Sequence, residues 1–375
     1  MKKVHVIIKV TDACNLRCKY CYNSHTKYTK EILSLKRFEK LLTLLAADYE
    51  RIELVWHGGE PMSVGLDYYK KAVEIEDKIY LQTNAKIVNS MQTNGTLIDD
   101  KWVAFFKKYK FQPGISFDGL HNENYRQQTQ KTLEAIKKLQ KADFKVGCLA
   151  VVADEGYDML ENYKYLRDLA VSVAFSPMFH EGGGEGLQGV SAEYYIEQTN
   201  RLFDYWLHDT NGTTVKDFRS FVSMAMGGYE KVCTNSSCLG KWLSITADGT
   251  LYNCGRDAIK AYPYGHIDEI QAIGEAYKSE GFYQMLKGSI ARRQKCKASC
   301  EYFEFCEGGC PDMAILENGL GEIPQFSCAC FKGIFSHIQS KMQEIIQNKT
   351  PLDTLNPTIR SVAIKCLSDA GEKSN

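Results

Sequence analysis

The sequence has no long apolar run, no excess of charge of one sign and no recognisable export signal. Its first ten residues, MKKVHVIIKV, hold an apolar stretch too short for a signal-peptide core, and polar and cysteine residues follow directly. No window approaches the apolar length that a membrane-spanning helix requires. We therefore predict a cytoplasmic protein with no membrane partner.

Neither sign of charge predominates, because 46 Lys and Arg residues balance 46 Asp and Glu residues. Without a basic excess, nothing in the composition favours a nucleic acid partner. Hydrophobic residues make up 44% and charged residues 25%, as in an ordinary globular protein. A chain of 375 residues is long for one domain, so we expect a large domain with a smaller appendage.

Cysteine, in contrast, is abundant, with 14 residues in the chain. Thiols stay reduced in the cytoplasm, so structural disulfides would explain this number only in an exported protein. Most of the cysteines are clustered at unequal spacings between Cys233 and Cys330. Such clusters are typical of metal or iron–sulfur ligands.

Six apolar runs rich in β-branched residues alternate with helical patterns up to about residue 209. Their composition suits strands of a parallel sheet that are buried on both faces. The first helical pattern has Ser34 as its candidate cap. We predict an α/β fold, a partial (β/α)6 TIM barrel over residues 1–230, open on one side because six units are fewer than eight. The predicted strands are 4–10, 51–56, 86–92, 112–117, 144–152 and 172–178.

The character of the sequence changes beyond residue 230, where helical periodicity weakens and cysteines and glycine turns multiply. We predict a cysteine-rich domain at 231–335, followed at 336–375 by a C-terminal helix and a polar tail. Between the sixth strand and its helix lies HEGGGEGLQG, residues 180–189. Its glycine content indicates either a flexible connection or a lid at the barrel mouth.

A cysteine motif, CNLRCKYC, follows the first strand and places Cys14, Cys18 and Cys21 in one loop, with Tyr20 before the last. This CxxxCxxC pattern resembles the signature of the radical S-adenosylmethionine (SAM) superfamily. The resemblance implies a [4Fe-4S] cluster on the three thiolates, with the fourth iron open to SAM. Barrel active sites lie at the C-terminal ends of strands, where this loop begins. Three cysteines alone would also suit an incomplete zinc site.

Other segments at strand ends resemble SAM-binding segments of that superfamily. The GGE at 58–60 resembles the one that binds the SAM amino group, since paired glycines permit close approach and a carboxylate complements an ammonium. QTNG after strand three and SFDG after strand four resemble segments near the SAM ribose. Each could equally be a polar turn. The implied SAM contacts are Tyr20, Gly58, Gly59, Glu60, Gln92, Asn94, Ser116, Asp118 and, for the SAM carboxylate, Arg126.

The C-terminal cysteines resemble the SPASM pattern of radical SAM enzymes that modify peptides and proteins. The resemblance implies two auxiliary [4Fe-4S] clusters, making three in all. Three residues separate Cys296 from Cys300 where the family usually has two, and zinc ribbons are an alternative for tetracysteine sets. The implied first set is Cys233, Cys238, Cys254 and Cys310, and the second is Cys296, Cys300, Cys306 and Cys328, with Cys330 as alternative to Cys328 on one side of an extended segment.

The resemblance also implies a reaction, in which a 5′-deoxyadenosyl radical abstracts hydrogen from an unactivated carbon of a peptide. Sulfatase-maturing enzymes resemble the chain around WHGGEP and QTNG, but they carry an aspartate proton acceptor directly after the cysteine equivalent to Cys254. Here Gly255 follows, and the nearest carboxylate is Asp257, our candidate base. We therefore predict a peptide maturase that forms a thioether or carbon–carbon crosslink in a ribosomally made peptide. The alternative is a sulfatase maturase that forms formylglycine.

The implied partners are a peptide or protein substrate and a flavodoxin or ferredoxin as reductant. Because the first strand begins at Val4, we expect no N-terminal precursor-recognition domain. Leader recognition would then fall to a separate protein, to the C-terminal tail or to neither. A hypothesis of another class, a non-enzymatic iron–sulfur electron carrier, explains the clusters but not the open three-cysteine site or the barrel.

Overall fold

A single mixed sheet lies at the centre of the computed structural model, which describes residues 2–25, 31–178, 187–228, 230–235 and 237–372. In the described residues the strand order is β6-β5-β4-β3-β2-β1-β7-β8. All neighbouring strands run parallel except β7 and β8. The strands are β1 Lys3–Thr11, β2 Arg51–Gly58, β3 Lys86–Thr93, β4 Gln112–Ser116, β5 Gly147–Val152, β6 Ser172–Pro177, β7 Trp242–Ile245 and β8 Leu251–Tyr252.

The six predicted β/α units are confirmed, and each strand adds to the same side of the sheet as in a barrel. The barrel stays open because β6 and β8 are the two edges of the sheet. The barrel helices are α1 Leu35–Asp48, α2 Leu66–Thr83, α3 Asp100–Tyr109, α4 Asn122–Tyr125, α5 Thr129–Lys141, α6 Met159–Asp168 and α7 Ala192–Leu207.

Apolar stripes explain why these segments are helical and which face they bury. In α1 the hydroxyl of Ser34 accepts a hydrogen bond from the Arg37 N–H, which confirms the predicted cap. The buried side chains of α1 and the even-numbered residues of β1, such as Val6 and Ile8, belong to the same apolar core. The odd-numbered residues of β1 and β2 consequently point into the barrel interior.

The fifth strand begins later than predicted. Asp143 adopts φ +67°, and the Phe144 N–H donates to the Leu139 carbonyl, so residues 143–144 close α5 instead of opening β5. The strand pairing with β4 and β6 starts at Gly147.

The chain beyond residue 230 is largely helical, although helical periodicity in its sequence is weak. Two of the helices there are long, with 20 residues in α10 and 23 in α13. The strands β7 and β8 were not predicted, and β7 pairs with β1, so the barrel sheet continues into the cysteine-rich part. The remaining helices are α8 Lys216–Ala225, α9 Ile273–Ala276, α10 Glu280–Ser299, α11 Phe303–Cys306, α12 Pro311–Glu317, α13 Gln325–Gln347 and α14 Pro357–Glu372.

The domain limits at 230 and 335 stay a prediction. The sheet crosses the first, and α13 runs without interruption through the second. Most of the glycine-rich segment 180–189 lies outside the described residues, so neither of its two interpretations is decided. In the part of the chain that the structure describes, none of the helices has the length and apolar character needed to span a bilayer.

Candidate active site

The cysteine loop leaves β1 at the C-terminal edge of the sheet and is fastened to the end of β2. The Gly59 and Glu60 amides donate to the carbonyls of Thr11 and Ala13, at 2.9 and 2.8 Å. A Cβ at Gly59 would lie 2.2 Å from the Ala13 oxygen, so only glycine fits there. The glycine pair therefore brings β2 against the cysteine loop, and the predicted approach of this pair to a SAM ammonium stays a prediction.

The three predicted thiols are brought together in this loop. Cys14, Cys18 and Cys21 are half-buried and form no disulfide. Cys18 lies near both Cys14 and Cys21, and Cys14 lies near Cys21. Burial raises the pKa of Cys14 and raises that of Cys18 to about 11. A bound metal is what would ionise such thiols. A donor set of three thiols fits a [4Fe-4S] cluster with one open iron.

Nitrogen donors surround the sulfur atoms. The Leu16 N–H lies 3.4 Å from the Cys14 Sγ, and the Asn94 Nδ2 lies 4.0 Å from the same atom. Arg126 Nη1 lies 3.9 Å from the Cys18 Sγ. Such contacts stabilise ligated thiolates, because they place positive charge near the sulfur.

Glu60 has a buried carboxylate that accepts hydrogen bonds from the protein itself. It is 1% exposed, and its carboxylate accepts hydrogen bonds from the Met62 and Asn94 amides and from the Thr93 hydroxyl, at 2.8 to 3.0 Å. Burial outweighs these donors and raises its pKa to about 6. Glu60 therefore ties the end of β2 to the end of β3. Its contact with the SAM ammonium stays a prediction.

Asp118 and Arg126 form a buried ion pair below the cysteine loop. Arg126 Nε donates to Asp118 Oδ2 at 3.1 Å, and the Tyr20 hydroxyl donates to the same oxygen. The guanidinium also lies over the Tyr20 ring, 5.2 Å from its centre. Burial opposes the charge of Arg126, but the Asp118 carboxylate outweighs it and raises the Arg126 pKa. The polar atoms of Tyr20 and Asp118 thus support the loop.

The remaining implied SAM contacts line the inner face of the sheet. Gln92 Nε2 donates to the Ser116 Oγ at 2.8 Å, joining β3 to β4, and Asn94 bonds to Asn15 in the cysteine loop at 2.9 Å. Gly58 has φ +125°, which favours glycine. The assignment of all these residues to SAM stays a prediction.

Sequence reasoning missed Lys9, a buried cation in the barrel interior. Its ammonium donates to Asn23 Oδ1 at 3.1 Å, and Asn23 in turn donates to the Gly58 carbonyl at 3.0 Å. Burial lowers the pKa of Lys9, although Asp12 and Asp257 oppose the shift. The signal was a lone lysine in VHVIIKV, at an odd position of an otherwise apolar strand.

His57 lies beside Lys9 on the next strand. Burial, helped by the charges of Lys9 and Arg256, lowers its pKa to about 4, so the ring is neutral. Its Nδ1 accepts a hydrogen bond from the Gly58 N–H at 2.8 Å. His57 therefore stabilises the turn at the end of β2.

The first predicted auxiliary set is brought together around the end of β8. Cys254 follows β8, and its neighbours include Cys233, while Cys238 lies near Cys233 and Cys310 near Cys238. Burial raises the pKa of Cys238 and raises that of Cys254 to about 12. Because β7 pairs with β1, the sheet itself places this set beside the barrel mouth.

The second set forms where α10 ends. Cys296 lies in its last turn and Cys300 is its C-terminal cap, so the three-residue spacing puts both on one helix face. The thiol of Cys306 lies within electrostatic range of the thiols of Cys296, Cys300 and Cys328. The unusual spacing is therefore compatible with a shared site.

Cys330 does not belong to that set, contrary to the predicted alternative. Residues 325–347 form α13, not an extended segment, and two residues along a helix turn the side chain to another face. Cys328 faces Cys300, whereas Cys330 is buried in the apolar core beside Tyr195.

Alanine at Cys328 and alanine at Cys330 are expected to give opposite results. Cys328→Ala should lose about one third of the iron, if each set holds one cubane. Cys330→Ala should keep all the iron and lose stability instead, because it leaves a small cavity. Iron analysis and urea unfolding of both variants check this, and equal iron loss would contradict the assignment.

A buried cation, Arg292, lies between the two sets. It is 1% exposed, its Nε donates to the Gly308 carbonyl at 2.8 Å, and a second nitrogen donates to the Leu320 carbonyl. Its charged neighbours are cysteines of both sets, among them Cys238 and Cys296. A buried guanidinium needs a nearby anion, so its position fits ligated, ionised cysteines.

No trio of Cys, His, Asp or Glu in the described ranges is arranged to hold a single metal ion.

Asp257 stands near the first set and the barrel mouth. Its Oδ1 lies 2.5 Å from Lys260 Nζ, and it is a charged neighbour of Lys9. A Cβ at Gly255 would lie 2.9 Å from Ile7 Cγ2, so a larger residue there requires Ile7 to move. The packing of β1 thus explains the glycine after Cys254.

Comparison with known proteins agrees with this geometry. Residues 8–169 match the radical SAM superfamily. The cysteine-type anaerobic sulfatase-maturating enzyme of Clostridium perfringens is 25% identical over 93% of this chain and 100% of its own. The serine-type enzyme of Bacteroides thetaiotaomicron is 28% identical over 90% of this chain and 89% of its own.

The fold also matches a solved structure, native anSMEcpe with bound AdoMet and Cp18Cys peptide. The TM-score is 0.78 with 22% identity, over 93% of this chain and 100% of that one. This likeness confirms the partial barrel with a cysteine-rich C-terminal part. The chain therefore carries a radical SAM domain over residues 8–169 and is an enzyme, and that superfamily implies a [4Fe-4S] cluster and SAM as cofactors.

Proposed function

We propose that the enzyme oxidises a cysteine or serine side chain of a peptide or protein to formylglycine. The observation that carries the proposal is the extent of the similarity to sulfatase-maturating enzymes of both types, which covers at least 90% of this chain and includes the cysteine-rich part. The crosslinking reaction predicted from the sequence has less support, because it rested on Gly255 alone, and the contact with Ile7 gives that glycine a packing reason.

The residues of the chain supply binding, orientation and proton transfer. Bound SAM and its cluster would supply the radical that removes hydrogen from the substrate Cβ. Conversion of cysteine removes two electrons, exchanges sulfur for oxygen from water and releases hydrogen sulfide. Asp257 is proposed to accept the thiol proton, which is supported by its position near the ammonium groups of Lys260 and Lys9.

The two auxiliary cysteine sets complete the proposal. Each brings together four thiols, and each is proposed to hold a [4Fe-4S] cluster that carries electrons away from the substrate. The reductant is proposed to be a flavodoxin or ferredoxin. Iron and sulfide in multiples of four support clusters, whereas stoichiometric zinc in a colourless protein would support zinc ribbons.

A sulfatase-derived peptide distinguishes the two reactions. The anaerobically reconstituted enzyme is incubated with SAM, a reductant and matched peptides that carry cysteine, serine or alanine at the target. We expect a product that reacts with an aldehyde-specific hydrazide and takes oxygen from isotopically labelled water. A product that loses two hydrogens without reacting with the hydrazide would be a crosslink and would contradict the proposal.

Asp257→Asn is expected to slow aldehyde formation by about 10²-fold, the lower end of the contribution of a general base. The amide keeps the volume but cannot accept the proton. SAM cleavage should continue, so the ratio of 5′-deoxyadenosine to aldehyde should rise. Both products are measured in one chromatographic assay, with Asp100→Asn as the exposed control on α3. An unchanged ratio would show that Asp257 is not the base.

A further inference from the structure

Cys233 is the exposed member of the first auxiliary set, whereas Cys238, Cys254 and Cys310 are half-buried. It begins a short 3-10 helical turn, Cys233–Asn235, that belongs to none of the longer helices. Short exposed turns open at little cost in free energy, since few contacts hold them. A cluster ligand in such a turn therefore needs support from side chains outside it.

One carboxylate, that of Glu307, binds the chain on both sides of this turn. Its Oε1 accepts a hydrogen bond from the Lys231 ammonium at 2.8 Å, and its Oε2 accepts one from the Ser237 N–H at 3.3 Å. Lys231 precedes Cys233 in the chain and Ser237 follows it. The two contacts therefore close a loop around the exposed thiol.

Further contacts fix the position of Glu307 itself. Arg293 Nη1, on α10, donates to Glu307 Oε2 at 3.0 Å and to the Glu307 carbonyl at 3.1 Å. The Lys231 ammonium also donates to the Glu304 carbonyl at 2.8 Å. Two cations and a backbone amide thus share one carboxylate, a network that is stronger than an isolated surface pair. Because Glu307 directly follows Cys306, the network joins the turn of the first set to a ligand of the second.

The backbone at Glu307 gives independent support for a specific role of this side chain. Glu307 is the residue after α11 and has φ +57°, a left-handed conformation that glycine or asparagine adopts with less strain. The charge-assisted hydrogen bonds of the carboxylate offset the strain of a glutamate at this position. The contacts of the side chain, and not the shape of the turn, therefore explain the residue.

We propose that Glu307 is a positioning residue that holds Cys233 on the first auxiliary cluster as its fourth ligand. Four thiolates leave that cluster without an open iron, in contrast to the cluster on the three thiols after β1. The first auxiliary cluster then carries electrons and does not bind a substrate thiol. This inference rests on the proposed function, because it requires a cluster on the first set.

Alkylation of Cys233 by iodoacetamide tests this role, because a thiolate bound to iron is protected from the reagent. The iron-loaded enzyme is treated in the presence of SAM under anaerobic conditions, and mass spectrometry measures the modified fraction of each cysteine. We expect Glu307→Ala to increase the alkylation rate of Cys233 by about 10- to 100-fold, since the charge-assisted contacts that hold the turn are lost. Cys238 and Cys254 should stay protected, because three thiolates can still hold a cubane.

Two further variants show which contacts matter. Lys231→Met removes one cation and leaves the contact of Glu307 with Ser237, so it should increase the alkylation of Cys233 by a smaller factor. Glu304→Ala, on α11, is the matched control. Its side chain is exposed, and it is its main-chain carbonyl that accepts the hydrogen bond from Lys231. This variant should behave as wild type.

A Cys233 alkylation rate in Glu307→Ala equal to that of wild type overturns the inference. Equal increases at Cys233, Cys238 and Cys254 would mean that the substitution loosens the whole set, and they overturn it as well. If Glu307→Ala does not fold, Lys231→Met is judged by the same two criteria.

Iron content and aldehyde formation are measured in parallel, so that failure of the inference and failure of the proposed function are distinguishable. A first set without iron in wild type would refute the inference together with the proposed auxiliary clusters. Protection of Cys233 that depends on Glu307, in an enzyme that forms no aldehyde, would refute only the proposed reaction. Aldehyde formation by an enzyme in which Glu307→Ala leaves Cys233 protected would refute only the inference.

Discussion

Replacing Cys18 with alanine is expected to remove about one third of the iron from the reconstituted protein and to abolish SAM cleavage. Cys18 is one of three thiols in the loop after β1, and two thiolates are too few to hold a cubane that must also bind SAM. The auxiliary sets lie beyond residue 230 and should keep their own iron. Iron and sulfide analysis and chromatography of 5′-deoxyadenosine measure the two effects.

Cys148→Ala is the matched control for that variant. Cys148 is 5% exposed within β5 and belongs to the apolar core, so it lies outside all three thiol sets. Its replacement should leave both iron content and SAM cleavage at the wild-type level. Full iron content or undiminished SAM cleavage in Cys18→Ala would contradict the assignment of the loop.

The first part of the fold could be predicted because its signals are local. Short runs of β-branched residues predict buried strands. An apolar stripe that follows a capping serine predicts a helix such as α1. Thiol sets were also predictable, because a spacing such as that of Cys14, Cys18 and Cys21 is a feature of adjacent residues.

The C-terminal part could not be predicted in the same way. Helix α10 buries Met285, Ser289, Arg292 and Cys296, which have helical spacing but only one apolar member of the usual kind. The other three are Ser289, Arg292 and Cys296, and Arg292 lies near cysteines of both auxiliary sets, so hydrophobic periodicity does not detect the buried face of α10. Cys328 and Cys330 were predicted to lie in an extended segment, whereas both lie within α13.

The roles of individual site residues depend on partners distant in sequence. The sequence predicts Glu60 as a ligand for an ammonium but does not show that Asn94, directly after β3, donates a hydrogen bond to its carboxylate. Lys9 could not be recognised as a buried cation, because its surroundings, among them Asn23 and Asp257, are assembled only by the fold. Sequence spacing thus identifies chemistry-bearing groups, whereas tertiary pairing decides which of them stay available for a substrate.

Asp118→Asn is expected to lower the free energy of unfolding by about 3–5 kcal/mol, the usual cost of breaking a buried ion pair. Asp118 is 0% exposed, and its carboxylate accepts hydrogen bonds from Arg126, from the Tyr20 hydroxyl and from the Val151 N–H at 2.9 Å. The amide keeps the volume but leaves the guanidinium without a counter-charge. Urea unfolding of the iron-free, reduced protein measures the loss.

A second substitution separates loss of charge from loss of packing. If the unpaired guanidinium causes the damage, Arg126→Leu in the Asp118→Asn background should restore part of the stability, because it removes the remaining charge. Asp100→Asn, whose carboxylate is exposed beside Lys138, should leave the free energy of unfolding close to that of the wild type. A double variant no more stable than Asp118→Asn, or a single variant close to wild type, would mean that the pair does not hold the cysteine loop in place.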